Sequence, residues 1–303
     1  MVIQVKDILN CCTLCPRECK VNRNKGEIGL CGMDSKIKVA RIAPHYFEEP
    51  PISGDKGSGA IFFSGCNLKC IFCQNYNIST NNFGKEISIN SLATKMVKLQ
   101  KDGVHNINLV TPTHFIPQIK DSIKQAKKMG LSIPIVYNTS SYEKKESLKM
   151  LDGLIDIYLP DLKYYDDILA IRYSKAPNYF NIAIDAIEEM YRQVGPVQFD
   201  SNGIMKKGII VRHLLLPGHI EDSKKILEYL HLIYGDNIFI SIMNQYTPLD
   251  QVKNIEELNR CVTEDEYNEL IDYAVELGIN NAFVQDGETQ KESFIPDFDL
   301  TGI

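Results

Sequence analysis

Ala60-Ile61-Phe62-Phe63-Ser64-Gly65-Cys66-Asn67-Leu68-Lys69-Cys70-Ile71-Phe72-Cys73 is the stretch that decides the fold. Its apolar start reads as a short buried strand, and Gly65 opens a turn directly after it. The loop that follows carries three cysteines spaced CxxxCxxC, close enough to serve one metal centre. A structural zinc ion asks for a fourth ligand, and nothing near in sequence supplies one. An electron-transfer [4Fe-4S] cube likewise takes four thiolates, one per iron. Three thiolates leave one iron open, which is what a cluster needs in order to bind a further molecule.

Outward from this loop the chain alternates short apolar runs with longer amphipathic ones. The apolar runs at 60–64, 107–111, 133–138, 155–161, 208–215 and 238–243 predict strands, with a further short one at 281–284. Helical spacing occurs at 89–101, 116–129, 142–150, 179–193, 223–234 and 263–277. Ser88-Ile89-Asn90-Ser91 and Thr263-Glu264-Asp265-Glu266 read as capped helix starts. Such alternation implies βαβ units and a parallel sheet. Six repeats are too few to close an eight-stranded barrel, so the expected fold is α/β, a partial (β/α)6 TIM-like barrel. In folds of this kind the site forms where strand C-termini meet the following loops. No internal repeat or low-complexity segment is visible.

Residues 1–50 differ in character: cysteine-rich, glycine-rich and weakly periodic. Such a segment needs a metal or a neighbouring domain to order it. The turn-rich stretch 48–59 with Pro50, Pro51, Gly54, Gly57 and Gly59 suggests a boundary, giving a cap at 1–50 and a barrel at 51–303. Eight of the nine cysteines precede residue 74. Cys12, Cys15, Cys19 and Cys31 form CxxCxxxC with a distant fourth thiol, a closed set for zinc or a second iron–sulfur cluster. Cys11 is a fifth thiol able to replace Cys12, and Arg17 and Arg23 offset thiolate charge. The outlying Cys261 reads as an ordinary buried thiol.

With 303 residues, 44% of them hydrophobic, the chain suffices for one large domain and a small appendage. A formal charge of −6 speaks against a nucleic-acid footprint. No apolar run reaches the roughly 20 residues a membrane span needs. Residues 1–6 lack the basic start and long apolar run of a signal peptide, so the cytoplasm is the expected compartment. Cysteines crowded together in a reducing compartment are metal ligands rather than disulfides.

CxxxCxxC with Phe72 before the last cysteine resembles the motif of the radical S-adenosylmethionine (SAM) superfamily. Cys12-x-Leu14-Cys15-Pro16-Arg17-x-Cys19-x-Val21-Asn22-Arg23 and Gly26-Glu27-x-Gly29-x-Cys31-Gly32 resemble the start of pyruvate formate-lyase activating enzyme-like proteins of the PflX type. The likeness continues through Leu109–His114, 136–140, 158–163, 173–178, 211–218 and 241–246, spanning residues 12 to about 285. This resemblance implies an oxidoreductase in which Cys66, Cys70 and Cys73 hold a [4Fe-4S] cluster. The open iron would bind SAM, whose reductive cleavage gives a 5′-deoxyadenosyl radical for hydrogen abstraction. It also implies an electron donor such as flavodoxin or ferredoxin, and as one substrate the glycine Cα of a glycyl-radical enzyme. Radical modification of a small molecule or peptide is the second reading. An iron–sulfur electron carrier is the third, disfavoured by the three-cysteine count.

By the same resemblance Phe72 lies near the adenine. Thr111-Pro112-Thr113-His114 stands where activating enzymes carry a GGE stretch for the methionine amino group. Asn138-Thr139-Ser140-Ser141 replaces their Asp-Thr-Asn-Gly, turning a carboxylate into an amide. Asp161-Leu162-Lys163 is retained, an acid for the ammonium or ribose and a cation for the carboxylate. Met243, Asn244 and Gln245 stand where relatives have a SAM-contacting histidine. Arg212 and His213 lie on a strand that reads as buried, so one points inward, and His213 is equally a core histidine. His114, Tyr137, Tyr142, Tyr158 and Tyr246 are candidates for a pocket lining and equally for packing.

Overall fold

The structure, a computed structural model, describes residues 8–285 and 294–303. The N-terminal reading of residues 1–6 lies outside them. Among the described residues ten strands form one sheet, nine of them along a single path. They are β1 (Ile37–His45), β2 (Ser58–Phe63), β3 (Lys85–Ile87), β4 (Ile107–Val110), β5 (Ile135–Thr139), β6 (Ile157–Pro160), β7 (Gln198–Phe199), β8 (Met205–Leu214), β9 (Phe239–Met243) and β10 (Ala282–Val284). The order is β10-β9-β8-β6-β5-β4-β2-β1-β3, with β7 paired to β8 alone. Strands β2, β4, β5, β6, β8, β9 and β10 run parallel, while β1 and β3 add an antiparallel end. The sheet is open, β10 and β3 being its two edges. The expected partial (β/α)6 TIM-like architecture is therefore present, with every predicted strand within three residues of its place.

The central strands are short and covered on both sides. Every residue of β2, β4, β5 and β6 is buried, as expected of strands between two packed layers. The crossover helices are α1 (Ile89–Lys101), α2 (Ile116–Lys128), α3 (Asp167–Ser174), α4 (Tyr179–Val194), α5 (Ile220–Tyr234) and α6 (Glu264–Glu276). Both foreseen caps are formed: Ser88 Oγ accepts from the Ser91 N–H at 3.1 Å, and Thr263 and Glu266 make a reciprocal capping box. None of the described helices is long and apolar enough to cross a membrane.

Three expectations need correction. The boundary at residue 50 falls beyond a strand of the main sheet, since β1 pairs with β2. Only the segment before about residue 36 stands outside the sheet. The helix expected at 142–150 shrinks to one turn, Lys145–Leu148, with a 3-10 turn after it. Ser141 adopts φ 63° and Lys144 stays extended, which turns Glu143 towards the sheet interior instead of along a helix. Cys261 is half-buried rather than buried.

Residues 294–303 return to β1. The Leu300 N–H donates to the Ala40 carbonyl at 3.2 Å, and the Ile42 N–H to the Thr301 carbonyl at 2.9 Å. Phe298 packs edge-on against Phe62.

Replacing Thr263 with Ala removes one half of the α6 capping box. The expected result is a loss of about 1 kcal/mol of stability, read as a lower urea midpoint at unchanged slope.

Candidate active site

The cysteine loop is shaped by what surrounds Gly65. At φ 86°, a Cβ here would stand 2.6 Å from the Met33 side chain and 2.7 Å from the Cys31 carbonyl, so only glycine turns the chain out of β2. The loop is then pinned from several sides. Asn67 Nδ2 donates to the Tyr142 carbonyl at 2.6 Å, and the Ile71 N–H to the Tyr173 carbonyl at 2.9 Å. Ser174 Oγ donates to Cys70 Sγ at 2.9 Å, and Ser79 Oγ lies 3.3 Å from Cys73 Sγ. Burial raises the Cys70 thiol to about 11 against the opposing pull of Lys163, and it raises the Cys66 thiol as well. The three thiols open into one cavity at the C-terminal ends of the parallel strands.

An ionic floor faces them. Arg212, from β8, donates through Nε to Asp161 Oδ1 (2.9 Å), through Nη1 to Glu48 Oε2 (3.2 Å) and through Nη2 to Asn138 Oδ1 (2.6 Å). Lys163 Nζ donates to Asp161 Oδ2 at 2.8 Å. Burial works against the charge on Asp161, yet Arg212 and Lys163 together hold it below the usual carboxylate range. Burial likewise opposes the charge on Lys163, and Asp161 more than restores it. Glu48 is raised by burial despite Arg212, and Asn108 donates to its other oxygen at 2.8 Å. On the far side the wall is aromatic. His45 stands 5.6 Å from Phe47 and 5.9 Å from Phe62, and Phe47 lies 5.5 Å from Phe294.

The sequence candidates sort cleanly. Cys66, Cys70, Cys73, Phe72, Thr111, Asn138, Thr139, Asp161, Lys163 and Arg212 all line the cavity. Asn244 does not; Met243 and Gln245 on either side of it do, and Asn244 is buried with its N–H on Gln285 Oε1. Strand alternation turns its neighbours in and Asn244 away. His213 is the core histidine, held between the Leu162 carbonyl (2.7 Å) and Ser223 Oγ (2.8 Å), with burial lowering it to about 4. Of the aromatic candidates only Tyr246 lines the cavity, 5.9 Å from the Phe72 ring. His114, Tyr137, Tyr142 and Tyr158 are buried away from it.

Sequence reasoning missed Glu48 and Glu143. Glu143 is 2% exposed, and one of its oxygens accepts from Thr113 (2.6 Å), Thr139 (2.6 Å) and Tyr137 (3.1 Å). It thereby ties the loop after β4 to the end of β5. Next to these contacts Thr111 and Ser141 are held at φ 57° and 63°, a region that side chains other than glycine rarely occupy and that clusters at functional sites. Neither acid sits in a spaced motif, so no local pattern announced it.

The cysteine-rich segment docks beside the same loop. Arg17 Nε donates to the Asn67 carbonyl at 2.8 Å, its guanidinium lies over the Tyr142 ring, and the Cys66 N–H donates to the Cys31 carbonyl at 3.3 Å. Burial raises the Cys15 thiol to about 12, with Cys31 and Cys12 close enough to add to the rise. Cys11 is exposed. Among the described residues no three Cys, His, Asp or Glu side chains stand around a single-ion point.

The sequence pattern of the radical SAM superfamily matches residues 60–230. The chain belongs to the radical SAM superfamily, whose enzymes use a [4Fe-4S] cluster and SAM. An uncharacterized protein of Methanocaldococcus jannaschii, MJ0674, is 29% identical over 284 residues, covering 91% of this chain and 77% of that one. Among solved structures, Streptococcus suis SuiB bound to precursor peptide SuiA superposes with a TM-score of 0.51 at 15% identity, over 74% of this chain and 47% of SuiB. HydG, a maturase of the [FeFe]-hydrogenase, gives 0.50 at 15% identity, over 72% of this chain and 48% of HydG. The chain thus spans about half the length of these two structures, and the likeness is one of fold.

Burial lifts the Glu143 carboxyl from 4.5 to about 7, against the hydroxyls that donate to it. An acid raised on folding favours the protonated native state, so its contribution is whole below pH 4.5 and is lost as pH rises through about 7. Wild type is therefore expected to lose about 3 kcal/mol relative to Glu143→Gln between pH 4.5 and 8. Denaturant midpoints of the two proteins across that range provide the measurement.

Proposed function

We propose that Cys66, Cys70 and Cys73 each bind one iron of the [4Fe-4S] cluster, and that the groups opposite hold SAM for radical generation. The observation that carries this is the opening of three thiols from a single loop onto Asp161, Lys163, Asn138 and Thr111 in one cavity. The donor set fits the cluster: three thiolates with hydroxyls beside two of them, and no fourth cysteine on the loop. When bound, cluster and SAM supply one-electron cleavage of the S–C5′ bond, with hydrogen abstraction to follow.

The chain's own residues position the reactant. Lys163 offers its ammonium to the SAM carboxylate, and Asp161 accepts from the SAM ammonium or ribose. The strained backbone at Thr111 gives hydrogen-bonding groups for the methionyl end, beside Thr139, whose hydroxyl is taken up by Glu143. Phe72, backed by Tyr246, packs beside the adenine. Arg212 holds Asp161 and Asn138 in place, which leaves both acid and amide preset before SAM arrives. The aromatic wall of His45, Phe47, Phe62 and Phe294, with Glu48 at its foot, is the side left for the substrate.

For that substrate we favour a glycine Cα of a partner glycyl-radical protein, with a peptide or small molecule as the alternative. The PflX-type motifs running from residue 12 to about 285 support the first. A low-potential flavodoxin or ferredoxin would supply the electron, and the free cysteines suit the reducing cytoplasm.

The test is to reconstitute the protein anaerobically, reduce it with dithionite and add SAM. 5′-Deoxyadenosine is expected from wild type and none from Cys70→Ala. Lys163→Ala should raise the SAM concentration for half-saturation about tenfold, the size of one lost charge-assisted contact. A fully loaded wild type that releases no 5′-deoxyadenosine would leave an electron carrier as the better description.

A further inference from the structure

The four cysteines of the N-terminal segment play no part in the chemistry above, yet they are built into the fold. Cys12, Cys15 and Cys31 are buried and Cys19 is half-buried. The backbone of Cys12 is fixed at both ends: its N–H donates to the Val21 carbonyl at 3.0 Å, and its carbonyl accepts from the Lys20 N–H at 2.9 Å. The Leu30 N–H donates to Cys19 Sγ at 3.3 Å. That is the orientation of an amide serving a thiolate.

The second observation is a cation. Arg23 is 1% exposed, among the most deeply buried large side chains of the molecule. Its guanidinium donates to the Asp34 carbonyl from Nε (3.1 Å) and Nη2 (2.5 Å), and to the His114 carbonyl from Nη1 (2.8 Å). Nη1 also lies 4.0 Å from Cys12 Sγ. Among the described residues no carboxylate pairs with it. A buried charge without a counter-charge is costly, and four neutral thiols do not provide one.

We propose that Cys12, Cys15, Cys19 and Cys31 form a tetrathiolate metal site, and that Arg23 is its buried counter-cation. Binding releases the four thiol protons to solvent. Four thiolates around a divalent zinc ion carry a net charge of −2, and so do four thiolates around a [4Fe-4S] core in its 2+ state. Either centre answers Arg23 in charge and both share the same donor set, but the thiols as placed do not surround a single-ion point, so a zinc ion would require them to close in. The site reaches the catalytic loop through one hydrogen bond, Cys66 N–H to the Cys31 carbonyl, and through Arg17 on the Asn67 carbonyl. Loading it therefore fixes the first cysteine of that loop.

This inference rests on the reading of Cys66, Cys70 and Cys73 only for naming the other centre, and metal analysis separates the two. Zinc, iron and sulfide per chain are measured in anaerobically reconstituted wild type, Cys70→Ala, Cys19→Ser and Cys11→Ser. Wild type should hold the catalytic cluster plus either one zinc or about four further irons, and the metal found identifies the centre. Cys70→Ala should lose the catalytic iron and keep the second metal; Cys19→Ser should do the reverse; Cys11→Ser should lose neither. Arg23→Met should release the second metal to a competing chelator at least tenfold faster than wild type. Wild type carrying a single cluster and no zinc overturns the proposal, whether or not the Cys19 variant folds. So does identical metal loss in Cys19→Ser and Cys70→Ala. Failure of Cys70→Ala to lose iron would instead sink the catalytic assignment alone.

Discussion

The Arg212 guanidinium is the constraint on which the cavity depends. It stands on β8 and reaches Asp161 past β6, Asn138 on β5 and Glu48 beyond β1. Three segments far apart in sequence are thereby held to one planar fork, whose geometry tolerates little drift. Breaking a buried pair of this kind leaves an uncompensated charge, so the arrangement is held in place as a unit. The polar floor keeps its shape because its members share one cation, and the parallel strands carry that shape outward to the loops.

Parallel β2, β4, β5, β6, β8 and β9 all finish on the same side, so a residue just past any of them reaches one space. This explains why Thr111, Asn138, Asp161 and Arg212, separated by up to 101 positions, meet in a single cavity. It also explains the strain at Thr111 and Ser141, where the chain turns sharply off a strand under the hold of Glu143. Packing supplies the rigid layer; short polar links between adjacent loops supply the finer placement.

Much of this was legible beforehand, for definite reasons. Unbroken apolar runs such as Ala60-Ile61-Phe62-Phe63 announce covered strands, and three cysteines on an eight-residue loop announce a centre without any tertiary information. What escaped depends on long-range partners. Strand β1 carries Lys38, Arg41 and Pro44, which hide its pattern, and Pro44 is tolerated because β3 pairs only with Ile37–Val39. Glu48 and Glu143 are single acids whose meaning comes from Arg212, Thr113 and Thr139. Of Met243, Asn244 and Gln245, which of the three reaches the cavity is a matter of one residue step, a difference that motif matching at a strand end cannot resolve.

The pairing of residues 300 and 301 with Ala40 and Ile42 bears on how the chain is assembled over time. Beyond Val39, β3 no longer covers β1, and this late segment takes over its exposed edge. Contacts closed across about 260 residues form slowly and reward the chain only at the end. During synthesis, then, this edge of β1 stays bare until residues 300 and 301 have emerged. Through that interval it is a template for pairing with another strand.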